Sequence, residues 1–332
     1  MFDQIPTRYN PFENAFNGSE LDFNIQPYNI YLGYEKQEHS YEGVKDIIKT
    51  AYNKPSFDKK GIAKYNENGE ITDWWVVGEG YHHKSHRDFY TPIWDEILDN
   101  FQPAEIGGVN IKFKSARNGR WGMMDLVFPN VGVPVITTNG HETTIKLRIV
   151  CWSGLDGSAA NNYMLGAIDS FCTNGQVFTQ AANKDEAITQ LYKRNTSGFD
   201  MKDFALSLSN AVDIFQLKAR EYQQMADKPL GWEKGSAFID GLKILSDQKK
   251  EGLKILLNKE FSQRGNNIFA LHSALTNYSS HNDQLNLDGK WLFQSRKSKD
   301  GSNNVDQQMF SREKEVLTII ESKQWQELLV AA

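Results

Sequence analysis

At 332 residues, with a net charge of −5 and a pI near 5.9, the chain has room for one large domain or two ordinary ones, and its overall field does not attract phosphate. Nineteen Phe, thirteen Tyr and eight Trp supply bulky burial although only 39% of the residues are hydrophobic. Two cysteines exclude a disulfide framework and point to a reduced, cytosolic setting, and no apolar run reaches the ~18 residues of a membrane span.

Residues 1–40 are rich in Asn, Tyr and Phe with little periodicity, which predicts an extended arm on the surface of the domain. They show neither a basic n-region nor an apolar h-region, so no signal peptide is expected. Val44, Ile47, Ile48 and Tyr52 recur at helical spacing and predict a short helix over 41–52. Three Asn-Gly dipeptides then interrupt alternating runs: Asn68-Gly69 within 61–77, Asn118-Gly119 within 109–128, and Asn139-Gly140 within 133–152. Asn-Gly suits a type I′ turn, whose two central residues need positive φ, so three hairpins and an antiparallel sheet are predicted. Between the first two lies a helix over 86–101, carried by Phe89, Ile93, Ile97 and Phe101. Its Pro92 fits only in a first turn.

Beyond residue 178 the pattern turns helical. Helices are predicted over 184–194, 201–225 (Phe204, Leu208, Val212, Phe215 and Tyr222 on one side), 236–245, 252–264 and 267–279. Lys228-Pro229-Leu230-Gly231 stops the second of these. A polar, Asn/Ser/Lys-rich loop follows over 283–310, then a last helix over 311–332 with Ser311 as N-cap and Glu313 and Glu315 in its first turn. The predicted class is α+β: an antiparallel hairpin sheet with helices packed on one face and a helical C-terminal half. The expected organisation is an arm (1–40), a core (41–282), the polar loop and the C-terminal helix.

Three stretches carry a resemblance. Ile149–Ser153 is an apolar strand, Leu155-Asp156-Gly157-Ser158-Ala159-Ala160 a polar turn, and a second apolar segment closes on Cys172-Thr173-Asn174. This order and spacing resembles a phage/plasmid-like protein family of bacteriophages, plasmids and bacteria, a domain of unknown function with a DGS turn and a C-T-N-G motif. Residues 77–98 are similar to the family's segment leading into a helix, with Ser85 at the usual Asn and Arg87 at the acidic position. Residues 267–281 are similar to its later helix, with Phe269 at the Trp and Ser273 at the Asn. The resemblance implies a phage or mobile-element protein acting in the host cytoplasm. It brings no established activity, so no catalytic residue is carried over.

Several residues have the types that chemistry uses. His82 and His86 could share a helical face as metal ligands, but no third ligand follows, and a polar lead-in to the helix is the simpler reading. No metal or cofactor is expected. Cys172 could act as a nucleophile with His272 or His281 as base, yet its apolar neighbours predict a packed thiol, like Cys151. Asp156-Gly157-Ser158 lacks the glycines of a hydrolase elbow and the lysine of a phosphate-binding loop, so it reads as a turn. Asn174 belongs to a turn with Gly175. The lysines and acids of 243–264 interleave, which reads as a solvated face.

The basic strands carry the functional expectation. Lys112, Lys114, Arg117 and Arg120 occur over 111–120 without an acid, and Lys146 and Arg148 alternate with Ile145, Leu147 and Ile149. Alternation places Lys112, Lys114, Lys146 and Arg148 on one sheet face, opposite the core, with Trp121 and Trp152 at the ends of these runs. Cations for phosphate and rings for bases are how sequence-neutral proteins hold single strands. The expected function is therefore single-stranded nucleic-acid binding or annealing, with edge strands able to pair subunits into a homo-oligomer and no membrane partner. The alternatives are an enzyme or host-factor modifier with a pocket near Asp156, Ser158, Cys172 and Asn174, and an interaction or virion-associated protein without ligand.

Overall fold

The computed structural model describes residues 10–32, 54–157, 159, 161–171, 175–177, 208, 211–281 and 305–331. The class is α+β, with antiparallel sheets and a helical C-terminal half. The helices expected over 41–52 and 184–194, residues 1–9 and 33–40 of the expected arm, and most of the polar loop lie outside the described residues.

The described part of the arm is not a loose extension. Asn10 caps helix α1 (Pro11–Phe16) by accepting from the backbone of Phe12 at 3.1 Å. Phe12 and Phe16 are fully buried, stacked 5.5 Å apart, and both meet the ring of Phe113 edge-on. Two such rings bury enough apolar surface to anchor a short segment that has little periodicity to show in sequence.

Strand β1 (Asn24–Leu32) follows and pairs with β2 (Lys54–Tyr65), which pairs with β3 (Ile71–Gly78). A second sheet contains β4 (Asn110–Ala116), β5 (Trp121–Ile136), β6 (Glu142–Gly154), β7 (Asn162–Asp169) and β8 (Gly175–Val177), neighbours in chain order. All three Asn-Gly dipeptides join antiparallel strands, but the predicted type I′ geometry is absent from two of them. There only Gly69 (φ 78°) and Gly140 (φ 83°) are left-handed. Their amides donate to Asn66 O and Thr137 O, so the glycine closes a three-residue loop. In the third turn Arg117, Asn118 and Gly119 are all left-handed.

Helix α2 (His86–Asn100) starts in a capping box between Ser85 and Asp88, and the short α3 (Pro103–Ile106) follows. Contrary to expectation, Pro92 sits inside α2. Burial of Phe89, Tyr90, Ile93, Trp94 and Ile97 offsets its cost of about 3 kcal/mol. The C-terminal half holds α4 (Ala211–Asp227), α5 (Trp232–Asp240), α6 (Asp247–Arg264), α7 (Ile268–Ser280), α8 (Val305–Ile320) and α9 (Lys323–Ala331). Ser311, the expected N-cap, lies within α8 rather than at its start.

The main core lies between one face of the five-stranded sheet and helices α1, α2, α4 and α7. Met124, Leu126, Leu147, Ile149, Cys151 and Leu165 point into it. Helix α8 reaches β4 and β8 and covers part of the opposite face. There Met123, Val150, Trp152 and Met164 join Trp121 and Leu317 in a second apolar cluster. The three-stranded sheet lays Ile62, Trp75 and Val77 against Tyr81 and Leu155.

Candidate functional site

The register confirms the face that alternation predicts. Lys112 lies opposite Asp125, which lies opposite Val150; Lys114 lies opposite Met123, which lies opposite Trp152. Its environment differs from the prediction. Arg148 is 3% exposed. Its Nε and Nη2 donate to the two Asp125 oxygens at 2.8 and 2.9 Å, and its Nη1 donates to Glu313 of α8 at 2.9 Å. Burial alone would raise the Asp125 carboxyl, but the guanidinium beside it holds it below the usual range. Arg148 is thus a buried ion-pair centre and does not face solvent. Trp121 and Trp152, expected as exposed rings, are 1% and 5% exposed, because the second apolar cluster closes over them.

Two further arginines are engaged. Arg120 holds both oxygens of Asp73, at 3.0 and 2.7 Å, and lies 5.3 Å over the Trp75 ring. Arg117 pairs with Asp156 at 3.3 Å. Arg117 and Arg120 of the acid-free run thus draw their acids, Asp156 and Asp73, from elsewhere in the chain, as Arg148 draws Asp125 and Glu313. Lys112 is exposed, and Lys114 and Lys146 are half-buried at the edge of this face. Lys314 of α8 stands 5.5 Å over the Trp152 ring.

The turn motif joins the two sheets. Leu155 N donates to Arg120 O at 2.7 Å, Trp75 Nε1 donates to Leu155 O at 2.6 Å, and Tyr81 OH donates to Gly154 O at 2.6 Å. Gly157 takes φ +75°, which suits glycine in such a bend. Ser158, Cys172 and Asn174 lie outside the described residues. Their described neighbours lie at opposite ends of one hairpin, since Trp152 pairs with Asn162 while Ile145 pairs with Asp169. Seven strand steps, roughly 23 Å, separate those ends. The described residues around Asp156 and around Phe171 thus form no common pocket.

His86 is also structural. It is fully buried, its Nδ1 is 2.6 Å from Ser153 Oγ, and its Nε2 is 2.6 Å from the Gly119 carbonyl. Donation from Nε2 to that carbonyl leaves Nδ1 to accept from Ser153. Burial lowers its pKa to about 4. His82 precedes α2, so the two do not share a helical face, and no group of three potential ligands that could hold a metal is formed among the described residues.

One cluster escapes the sequence reading. Arg264 is fully buried, with Nε on Glu260 at 2.7 Å, Nη2 2.8 Å from Asp169, and its guanidinium between the rings of Phe171 and Phe269. Beside it is a cavity of about 10 Å³ whose polar lining is Asp169, Tyr222, His272, Ser273 and Thr276. Burial lowers the His272 pKa to about 3. The signal was present: Glu260 and Arg264 extend the apolar stripe of Leu253 and Leu257, so this part of 243–264 faces inward.

No family model, no curated protein and no solved structure matches the chain.

Proposed function

We propose that the chain is a nucleic-acid-binding protein that holds the phosphate backbone along the lysine-bearing side of the five-stranded sheet. One observation carries this reading. Lys112, Lys114, Lys146 and Lys314 stand at the rim of this side, while the carboxylates of Asp125 and Glu313 are buried against Arg148. Four lysines gathered along one sheet face of a chain of net charge −5 support a phosphate contact. Trp121 and Trp152 are not available to stack on bases, so backbone charge sets the affinity, and single and double strands bind comparably. Fluorescence anisotropy of labelled single- and double-stranded oligonucleotides, titrated at several salt concentrations, tests this. Joint Lys112→Gln and Lys114→Gln substitution lowers the slope of log affinity against log salt by about 1.5. Oligonucleotides that tumble freely with the wild-type protein at low salt overturn the reading.

A second reading, a protein-interaction role, is favoured by Ile71, Trp74 and Val76. They are 58%, 59% and 44% exposed on the three-stranded sheet. Sedimentation velocity of wild type and Trp74→Ser, alone and at rising concentration, tests it for self-association.

A further inference from the structure

We propose that Asn68, at the tip of the β2–β3 hairpin, is a site of spontaneous covalent modification, where loss of the side-chain amide leaves aspartate and isoaspartate. Asn-Gly is the dipeptide that hinders this chemistry least, because glycine puts no Cβ beside the attacking backbone nitrogen. Both residues are described in four such dipeptides, which begin at Asn17, Asn68, Asn118 and Asn139. The dipeptide itself does not rank them, but their surroundings do. The glycine nitrogen must reach the carboxamide carbon, so the side chain and the peptide between the two residues must both rotate.

Asn68 and Asn139 form a matched pair. In each loop the glycine amide donates to the carbonyl three residues back, Gly69 to Asn66 at 3.0 Å and Gly140 to Thr137 at 2.9 Å. The glycine φ values are 78° and 83°, and a Cβ built on either meets no atom within 4 Å. The asparagine side chains differ. Asn139 is clamped between Thr137 and the end of α6 with its amide in either sense. In one sense Oδ1 accepts from Thr137 Oγ1 at 2.5 Å and Nδ2 donates to Gln263 O at 3.4 Å. In the other Nδ2 donates to Arg264 O at 3.1 Å and Oδ1 accepts from Gly265 N at 3.1 Å. Asn68 is exposed, and its carboxamide has no hydrogen-bond partner among the described residues. The other two asparagines are held. Asn17 Oδ1 accepts from Arg87 Nη2 at 2.6 Å. At Asn118 the peptides are locked: Asn118 O accepts from Lys64 Nζ at 3.0 Å, and Gly119 O lies 2.6 Å from His86 Nε2. A Cβ on Gly119 would fall 2.7 Å from Phe23 Cε1, so that residue has no room to turn.

The Gly69 nitrogen loses its proton to solvent and attacks Asn68 Cγ. The N–Cγ bond forms, the Cγ–Nδ2 bond breaks, and Nδ2 takes a proton from water and leaves as ammonia. Water then opens the cyclic imide. Attack at Cγ breaks the new bond and gives aspartate; attack at the Asn68 backbone carbonyl breaks the original peptide bond and gives isoaspartate. Either product adds a negative charge. Isoaspartate also lengthens the backbone in a turn where Asn66 Oδ1 accepts from Asn68 N at 3.0 Å and from Glu70 N at 2.8 Å.

The test is incubation of the folded, full-length wild-type chain at pH 8, with peptide mapping by mass spectrometry at intervals. Asn68 is expected to exchange NH2 for OH in mass and to split into two chromatographic peaks. Its conversion is expected to run at least about tenfold faster than that of Asn139, the factor imposed by the hydrogen bonds that the clamped side chain must first break. In urea the two sites converge, since each is followed by glycine. No variant is needed, so no substitution has to fold. Asn68 that converts no faster than the other three asparagines in the folded chain overturns the proposal, as does a ratio to Asn139 that persists in urea.

Discussion

Arg148 and Glu313 are 165 residues apart in the chain and meet at 2.9 Å, with 3% and 1% of their side chains exposed. This contact fixes α8 over the sheet face that strand alternation presents as open. It also changes what that face can do. One cation of the predicted interface is consumed inside the protein, while Lys112 stays exposed.

Removal of Arg148 leaves Asp125 and Glu313 as buried carboxylates without their guanidinium. Arg148→Met is expected to lower stability by about 3–5 kcal/mol. Glu313→Ala leaves the Asp125 pair in place and is expected to cost less, about 1.5–3 kcal/mol. Urea unfolding of the two variants checks the order. Equal small effects would mean that α8 contributes little to the seat of Arg148.

Trp152 separates a core role from a binding role. Trp152→Ala is expected to cost about 3–5 kcal/mol of stability through the cavity it leaves beside Met123, Val150 and Leu317. Oligonucleotide affinity of the folded variant, measured in the cold, is expected to stay within about twofold of wild type, because the ring is not on the surface. A large loss of affinity at unchanged stability would restore Trp152 to the interface.

Gly122 is held small by His86. A Cβ built there falls 2.7 Å from His86 Cε1 and 2.8 Å from Leu21 Cδ1. Gly122→Ala is expected to cost about 1–3 kcal/mol by overpacking. Gly122→Ala with His86→Ala is expected to cost less than the sum of the two, since the second substitution removes the clash. Additive costs from denaturant unfolding would count against that contact.

His86 and His272 make stability depend on pH. Burial lowers their folded-state pKa values to about 4 and about 3, against about 6.5 in the unfolded chain. The unfolded state therefore takes up protons first as pH falls. Their contribution is fully present above pH 6.5 and is lost as pH drops through 6.5 towards 4 and then 3. Between pH 6 and pH 4 the slope is expected to approach about 2.7 kcal/mol per pH unit for the two groups together. Urea midpoints at pH 7.5, 5.5 and 4.5 check this, and His86→Phe is expected to flatten the curve. A flat profile in the wild type would mean that neither ring is buried as described.

Much of the local structure was legible because it depends on neighbours in sequence. The alternation of Ile145, Leu147, Ile149 and Cys151 gives β6 its core face, and the Asn-Gly dipeptides mark three hairpins. Phe89, Ile93 and Ile97 give α2, although the position of Pro92 within it was not anticipated. The buried cluster was only partly legible. Glu260 and Arg264 lie on an apolar stripe, but their third member, Asp169, comes from a strand that no local pattern links to α6.

By itself, the sequence determined the class of the fold, the strands that bear lysines, and the face on which those lysines lie, because side-chain direction alternates along a strand whatever packs against it. Only the tertiary structure decided which charges remain outside. Arg117, Arg120 and Arg148 meet Asp156, Asp73 and Glu313 through contacts 39, 47 and 165 residues long in sequence. A carboxylate that arrives from so far away leaves no trace in a ten-residue window. Whether a cation is a ligand-binding group or an internal counter-ion is therefore a property of the assembled surface.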